Sequence, residues 1–297
     1  MPNNLTKIGG GTFHGCSSLT SIIIPQSVTY ISDMQSELGF TLFANCDNLT
    51  SIIVENGNKE YDSRDNCNAI IKTATNTLLY GCSKTIIPNS VTSINVYAFY
   101  CCRNLLTLKI PESVTYIGEY AFKGCSSLES VMLPDGITSI KQYTFQDCKG
   151  LKSITIPSSV TTIDFYAFAG CNNLTSITIP NSVTYIGVCA FSDCKSITSI
   201  TIPNQIKDIG DSTFAGCSSL ISITIPASVN FIGKRAFYAC SNIKDIYCYA
   251  EEVPQVDEDG LGSYDNYKNV TLHVPASSVE KYKKRLPWSD FGSIVAM

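Results

Sequence analysis

Histidine is almost missing from this chain: of 297 residues only His14 and His273 carry an imidazole. General acid–base catalysis and zinc ligation both lean on that side chain, so an enzyme is disfavoured from the outset and no metal or cofactor is expected. Charge is scarce as well, at 15% of residues, with 21 basic against 25 acidic side chains and a net charge near −4. Nothing here supplies the basic field that holds a phosphate backbone, which argues against nucleic acid as a partner. Long apolar runs are lacking: stretches such as Ile22-Ile23-Ile24 stop at a proline, far short of the ~18 to 20 residues of a membrane-spanning helix. The start, Met1 to Lys7, has neither the charged region nor the apolar core of a secretory signal. Either the protein stays inside the cell or a leader precedes this chain.

What is abundant is cysteine, with fourteen residues, and its spacing comes before its chemistry. Cys102, Cys125, Cys148, Cys171, Cys194, Cys217 and Cys240 each stand 23 residues apart. Prolines from Pro88 to Pro226 and phenylalanines from Phe99 to Phe237 keep the same step. A fixed period of this length is the signature of a solenoid, in which each unit buries its apolar side only against its neighbours. In the unit from Cys171 to Asp193, Leu174, Ile177 and Ile179 carry the L-x2-L-x-L spacing of a leucine-rich repeat. Alternation turns Ile177 and Ile179 inward and Ser176 and Thr178 outward on a short strand that Pro180 ends. Val183 and Ile186 are read as turning the chain, and Ala190-Phe191 as filling the core.

The expected fold is therefore a repeat solenoid, a right-handed leucine-rich-repeat coil. Short parallel strands line its concave face, and turns or short 3-10 or helical segments its convex face. The whole is mainly β with irregular structure. The array spans residues 1–246, with a loop insertion near 33–39 and a β-hairpin near 69–81. Residues 247–297 form a C-terminal capping segment. Within it Val270 to Val274 reads as a strand, Ser277 with Glu280 as a capping box that starts a short helix near 278–286, and Ser293 to Met297 as a last strand.

Written as C-x2-L-x2-I-x-I-P-x-S-V-x2-I-x3-A-F, the unit closely resembles the BspA-like class of leucine-rich repeat proteins. The likeness runs from about Leu5 to Ile246, and the tail around Leu272-His273-Val274-Pro275 and Trp288-Ser289-Asp290-Phe291 resembles the endings of such proteins from Bacteroides-type bacteria. It implies a surface or secreted protein that adheres to host matrix or cell-surface proteins and glycoproteins. The alternative is an intracellular structural scaffold, which the missing signal and the many thiols favour.

Three sets of residues are candidates for function. The outward strand positions run Ile23, Ile53, Ile86, Lys109, Met132, Thr155, Thr178, Thr201, Thr224 and Tyr247. Threonine also suits any solvent-facing strand, so Lys109, Met132 and Tyr247, which interrupt that small polar surface, point most directly to a partner. Tyr97, Tyr120, Tyr143 and Tyr166 would form an aromatic ridge on or near the convex side, either a partner surface or a set of stabilising stacks. The seven periodic cysteines would stack at about 4.8 Å, wide of the ~3.5 to 4.5 Å Cβ separation of a disulfide. They read as a buried ladder of reduced thiols, with disulfides or metal as the other readings. Cys189, outside that ladder, is the expected exposed thiol.

Overall fold

The computed structural model describes residues 1–32, 41–262 and 267–297. The loop expected near 33–39 lies outside the described residues. The chain divides into two compact units, Met1–Pro157 and Ser158–Met297, and each is a stack of coils.

Every coil begins with the alternating segment, and its strand forms because one side of the pleat has somewhere dry to go. In Thr107–Lys109, Ser130–Met132 and Ser153–Thr155 the middle residue is buried and its two neighbours are exposed. These strands lie parallel, with Leu108 beside Val131 and Lys109 beside Met132, which in turn faces Thr155. In the second unit Ser199–Thr201, Ser222–Ile225, Asp245–Cys248, Thr271–Val274 and Ser293–Ala296 pair in parallel in chain order. The ladder thus continues through the last two strands expected of the capping segment.

A second row of strands was not anticipated. Where Val183 and Ile186 were expected only to turn the chain, Tyr185–Ile186 pairs in parallel with Thr162–Ile163. Asp208–Ile209, Phe231–Ile232 and Gln255–Val256 make the same ladder, as do Ser93–Ile94 and Tyr116–Ile117 in the first unit. Each strand has two residues, too few to show alternation. The serine of the P-x-S-V turn ties this row together: Ser113 Oγ donates to the Val91 carbonyl and Ser182 Oγ to the Val160 carbonyl, both at 2.7 Å.

The remaining side of the coil is made of turns rather than helix, and it too is bonded from coil to coil. Phe122 N–H donates to the Thr144 carbonyl at 3.0 Å and Phe168 N–H to the Ala190 carbonyl at 2.8 Å. To aim these amides at the next coil the backbone turns left-handed twice per coil. One such position holds Tyr97, Tyr120, Tyr143, Tyr166, Cys189, Ser212 and Arg235; the other holds Cys101, Gly124, Asp147, Gly170, Asp193, Gly216 and Ala239. Glycine and aspartate tolerate this region readily, whereas a tyrosine is held there only by its surroundings.

Inside, the phenylalanines stack ring on ring. Phe99, Phe122 and Phe145 are 5.2 and 5.3 Å apart between centroids; Phe168, Phe191, Phe214 and Phe237 are 5.4, 5.7 and 5.5 Å apart. All seven are at most 1% exposed, and burial of each contributes roughly 2 to 3 kcal/mol.

The hairpin expected near 69–81 is present. Ala69–Lys72 and Thr77–Gly81 run antiparallel, Tyr61–Asp62 adds a third strand, and Thr77–Gly81 then joins Ser93–Ile94 in parallel. Its residues Ile70, Ile71, Leu78 and Tyr80 are buried, so the insert forms part of the core. Gly81 packs where a Cβ would strike the Phe99 ring.

The expected C-terminal helix is shorter than its sequence signal. Within residues 276–290 only Val279–Tyr282 is α-helical, after a 3-10 turn at Ala276–Ser278. The capping box is not formed: Ser278 is the N-cap and makes no side-chain capping bond, because its Oγ donates to the Glu251 carbonyl at 2.8 Å. Tyr282, Trp288 and Phe291 fill the end of the unit, with Trp288 Nε1 donating to the Pro254 carbonyl at 2.9 Å.

Candidate functional site

The outward strand row follows directly from the alternation. In the first unit Lys109, Met132 and Thr155 are lateral neighbours with exposed side chains. Met132 is 65% exposed, a large apolar side chain in open solvent. Earlier in the same unit Ile23 pairs with Ile53, and these two with Ile86 are exposed as well. In the second unit Thr178 and Thr201 are exposed, while Thr224 and Tyr247 are only partly so. Register places Thr201 beside Thr224, Thr224 beside Tyr247, and Tyr247 beside His273.

Tyr247 is less free than its position implied. Its ring stacks on the His273 imidazole, 4.3 Å between centroids and 14° from parallel, and His273 Nε2 lies 2.8 Å from Asp245 Oδ1. A carboxylate beside His273 is not legible from sequence, because the two residues are 28 apart and meet only through the register of two strands. The group is a hydrogen-bonded pair under an aromatic ring, with no nucleophile bonded to the imidazole among the described contacts.

The tyrosine ridge comes together over three coils. Tyr97, Tyr120 and Tyr143 stack at 4.9 and 4.6 Å, and Tyr100 meets Tyr97 edge-on. Tyr166 lies in the second unit, at the same left-handed position. Ring faces are largely spent on one another, so what the ridge offers outward is mainly edges and hydroxyls. Burial raises the Tyr97 and Tyr120 hydroxyls above their ordinary pKa. Lys123 extends over this stack, its ammonium 5.5 Å from the Tyr120 ring and 5.3 Å from the Tyr143 ring.

The periodic cysteines have a structural bond that sequence reasoning missed. Cys125 Sγ donates to the Phe99 carbonyl at 3.1 Å, Cys148 to Phe122 at 3.2 Å, Cys194 to Phe168 at 3.2 Å, Cys217 to Phe191 at 3.3 Å and Cys240 to Phe214 at 3.1 Å. The same carbonyls accept an N–H from within their own coil, as Phe99 does from Cys102 and Phe214 from Cys217. Each thiol therefore occupies a second lone pair that would otherwise be buried and empty. Burial pushes Cys102 and Cys240 up to about 12 and holds Cys125, Cys194 and Cys217 well above the ordinary value near 9, so these sulfurs are poor nucleophiles and poor ligands at neutral pH. Cys102 itself is half-buried. Cys189 is half-buried rather than exposed, as is Cys101, and the exposed thiol is Cys16 in the first coil. No group of three or more histidine, cysteine or carboxylate side chains fit to hold a metal occurs among the described residues.

The family model described as the BspA type leucine rich repeat region (6 copies) matches residues 1–64, 72–196 and 161–282. Among solved structures, a leucine-rich repeat protein from Eubacterium ventriosum is 26% identical, with a TM-score of 0.68 over 80% of this chain and 63% of that one. This chain thus spans somewhat less than two thirds of that relative. A leucine-rich repeat protein from Bacteroides ovatus is 26% identical, with a TM-score of 0.52 over 99% of this chain and 88% of the other. The leucine-rich repeat protein of T. pallidum is 29% identical, with a TM-score of 0.52 over 58% and 86%. No curated protein matches in sequence. No helix among the described residues is long and apolar enough to cross a membrane.

Proposed function

Because the chain belongs to the BspA-type leucine-rich repeat family, we propose that it is a non-enzymatic protein-binding scaffold, displayed at the cell surface or secreted, which adheres to host matrix or cell-surface glycoproteins through its outward strand row. The observation that carries this reading is Met132, 65% exposed between Lys109 and Thr155 on a backbone fixed by parallel pairing. Methionine is enriched at protein interfaces, and Ile23, Ile53 and Ile86, exposed at outward positions of the same unit, make its apolar surface more than one isolated side chain. A backbone already fixed by its neighbours loses little conformational entropy on docking. Thr178, Thr201 and Thr224 offer hydroxyls on the corresponding row of the second unit, and Tyr247 an aromatic edge.

The test is capture on purified, immobilised extracellular-matrix glycoproteins. Replacing Lys109 and Met132 together with alanine weakens capture and leaves the melting curve nearly unchanged, and adding Tyr247→Ala weakens capture further at a modest cost in stability from the lost His273 stack; unaltered capture removes the strand row from the site.

A second reading, an intracellular scaffold, is favoured by the fourteen cysteines, all of which are free thiols in the structure, a state at home in a reducing compartment. Labelling intact source cells with an impermeant amine reagent separates the two. Labelling of this chain supports the adhesin, and protection until lysis supports the scaffold.

A further inference from the structure

The cleft beside the tyrosine ridge is distinct from the strand row and has chemistry of its own. It measures about 330 Å³ and is lined by Tyr100, Arg103, Lys123, Asp147 and Lys149 with Cys101 and Ser126. Its cations come from three consecutive coils: Arg103 follows Cys102, Lys123 precedes Cys125 by two residues and Lys149 follows Cys148. In a chain whose net charge is near −4, that convergence stands out.

Two of the three cations are uncommitted. Lys123 and Lys149 make no ion pair among the described residues. Arg103 reaches Asp47 at 3.3 Å with both side chains substantially exposed, a contact worth little and easily exchanged. Lys123 is also positioned, because its ammonium lies over the Tyr120 and Tyr143 rings and the cation–π attraction restricts where a flexible side chain points. The tyrosine ridge thus serves to hold a cation at the edge of the cleft.

Asp147 decides the class of ligand. A plain polyanion gains nothing from a carboxylate in the cleft and is repelled by it. An acidic sugar brings both kinds of group: a sulfate or carboxylate for the cations, and hydroxyl donors for the carboxylate. A run of Asp and Glu has no side-chain donor for Asp147, only backbone N–H groups. Spacing agrees, since successive coils lie about 4.8 Å apart along the stack, close to the advance of one pyranose ring along an extended chain. We propose that this cleft binds the acidic sugars of a sulfated glycan, with Arg103, Lys123 and Lys149 on the anionic groups and Asp147 on a ring hydroxyl.

The probe is heparin, immobilised, and titrated with the full chain across a range of salt. Wild type binds with a salt-dependent affinity. The double variant Arg103→Gln/Lys149→Gln, both at exposed positions that leave the core untouched, binds about tenfold more weakly and makes the dependence of log affinity on log salt shallower by about 1.5. Adding Lys123→Gln weakens binding further. A control of equal charge change in the other unit, Lys207→Gln/Lys244→Gln, leaves both quantities unchanged. Asp147→Asn separates this site from a generic basic patch: binding falls several-fold if the carboxylate receives a hydroxyl and rises if it merely repels.

Equal losses in the control pair, tighter binding by Asp147→Asn, or capture of polyglutamate as strong as of heparin would each overturn the assignment. The strand-row variants are run in parallel. Loss of glycoprotein capture in those, with heparin binding intact, keeps the two surfaces separate, so either one can fail without the other.

Discussion

Two aromatic ladders run along the first unit, and they differ in what they tolerate. Phe99, Phe122 and Phe145 stack in the dry interior, while Tyr97, Tyr120 and Tyr143 stack at the corner, half in water. Their spacings are similar. Yet from Phe99 to Phe237 the inner ladder keeps the same residue in every coil, whereas the outer one gives way to Cys189, Ser212 and Arg235. Stacking geometry is common to both, so burial is what the inner ladder adds, and burial holds the coil together.

Substitutions can break or sharpen that contrast. The largest effect is expected at the core: Phe191→Ala leaves a cavity between Phe168 and Phe214 and costs about 3 to 5 kcal/mol in urea unfolding. A loss near 1 kcal/mol would mean that the coils collapse onto the gap and that the ladder is not the main source of stability.

Next comes the thiol that braces the phenylalanine carbonyl. Cys240→Ala leaves a lone pair of the Phe214 oxygen buried and costs about 1 to 2 kcal/mol at neutral pH. The penalty shrinks in alkali. With the folded value pushed up to about 12 and an ordinary value near 9, the unfolded chain ionises first, so wild-type stability falls as pH rises from about 9 toward 12, by up to about 1.4 kcal/mol per pH unit for this thiol. The variant escapes that share of the decline. Unfolding at pH 7 and pH 10.5 therefore shows a gap that narrows, and a gap that widens contradicts the buried, hydrogen-bonded thiol.

A smaller cost is expected at the corner. Tyr120→Asn keeps a residue that accepts the left-handed backbone and loses two ring stacks, each at the low end of its range because the rings are half in water, about 1 kcal/mol in all. If thermal unfolding shows it as costly as Phe191→Ala, the distinction between the ladders fails. The smallest effect is at the strand row, where Met132→Ala shifts stability by less than about 0.5 kcal/mol; a larger loss would make Met132 a structural residue.

The period made most of this architecture legible. Alternation at Ser176 to Ile179 and the spacing of Phe and Cys assign inward and outward positions without reference to coordinates, and the hairpin near 69–81 stands out because it interrupts the step. The second strand row was hidden because Tyr185–Ile186 and its equivalents are too short for periodicity to register. Left-handed corners were half visible: Gly124, Gly170 and Gly216 announce one of them, while tyrosine, serine and arginine at the other carry no such signal. The Cys–Phe bonds, the His273–Asp245 pair and the cleft around Lys123 depend on contacts across 20 or more residues. The unit motif records which residue recurs, not which atom of the next coil it meets.

One consequence of bonding each coil only to its neighbours concerns force. Within a unit the three rows of backbone bonds run along the stack, each joining a coil to its neighbour among the described residues. Tension applied at a free edge would load one coil's bonds at a time rather than shear the whole sheet at once. Each release frees 23 residues, roughly 80 Å of extended chain, so such a protein would yield under pull in small, equal steps and lengthen instead of letting go.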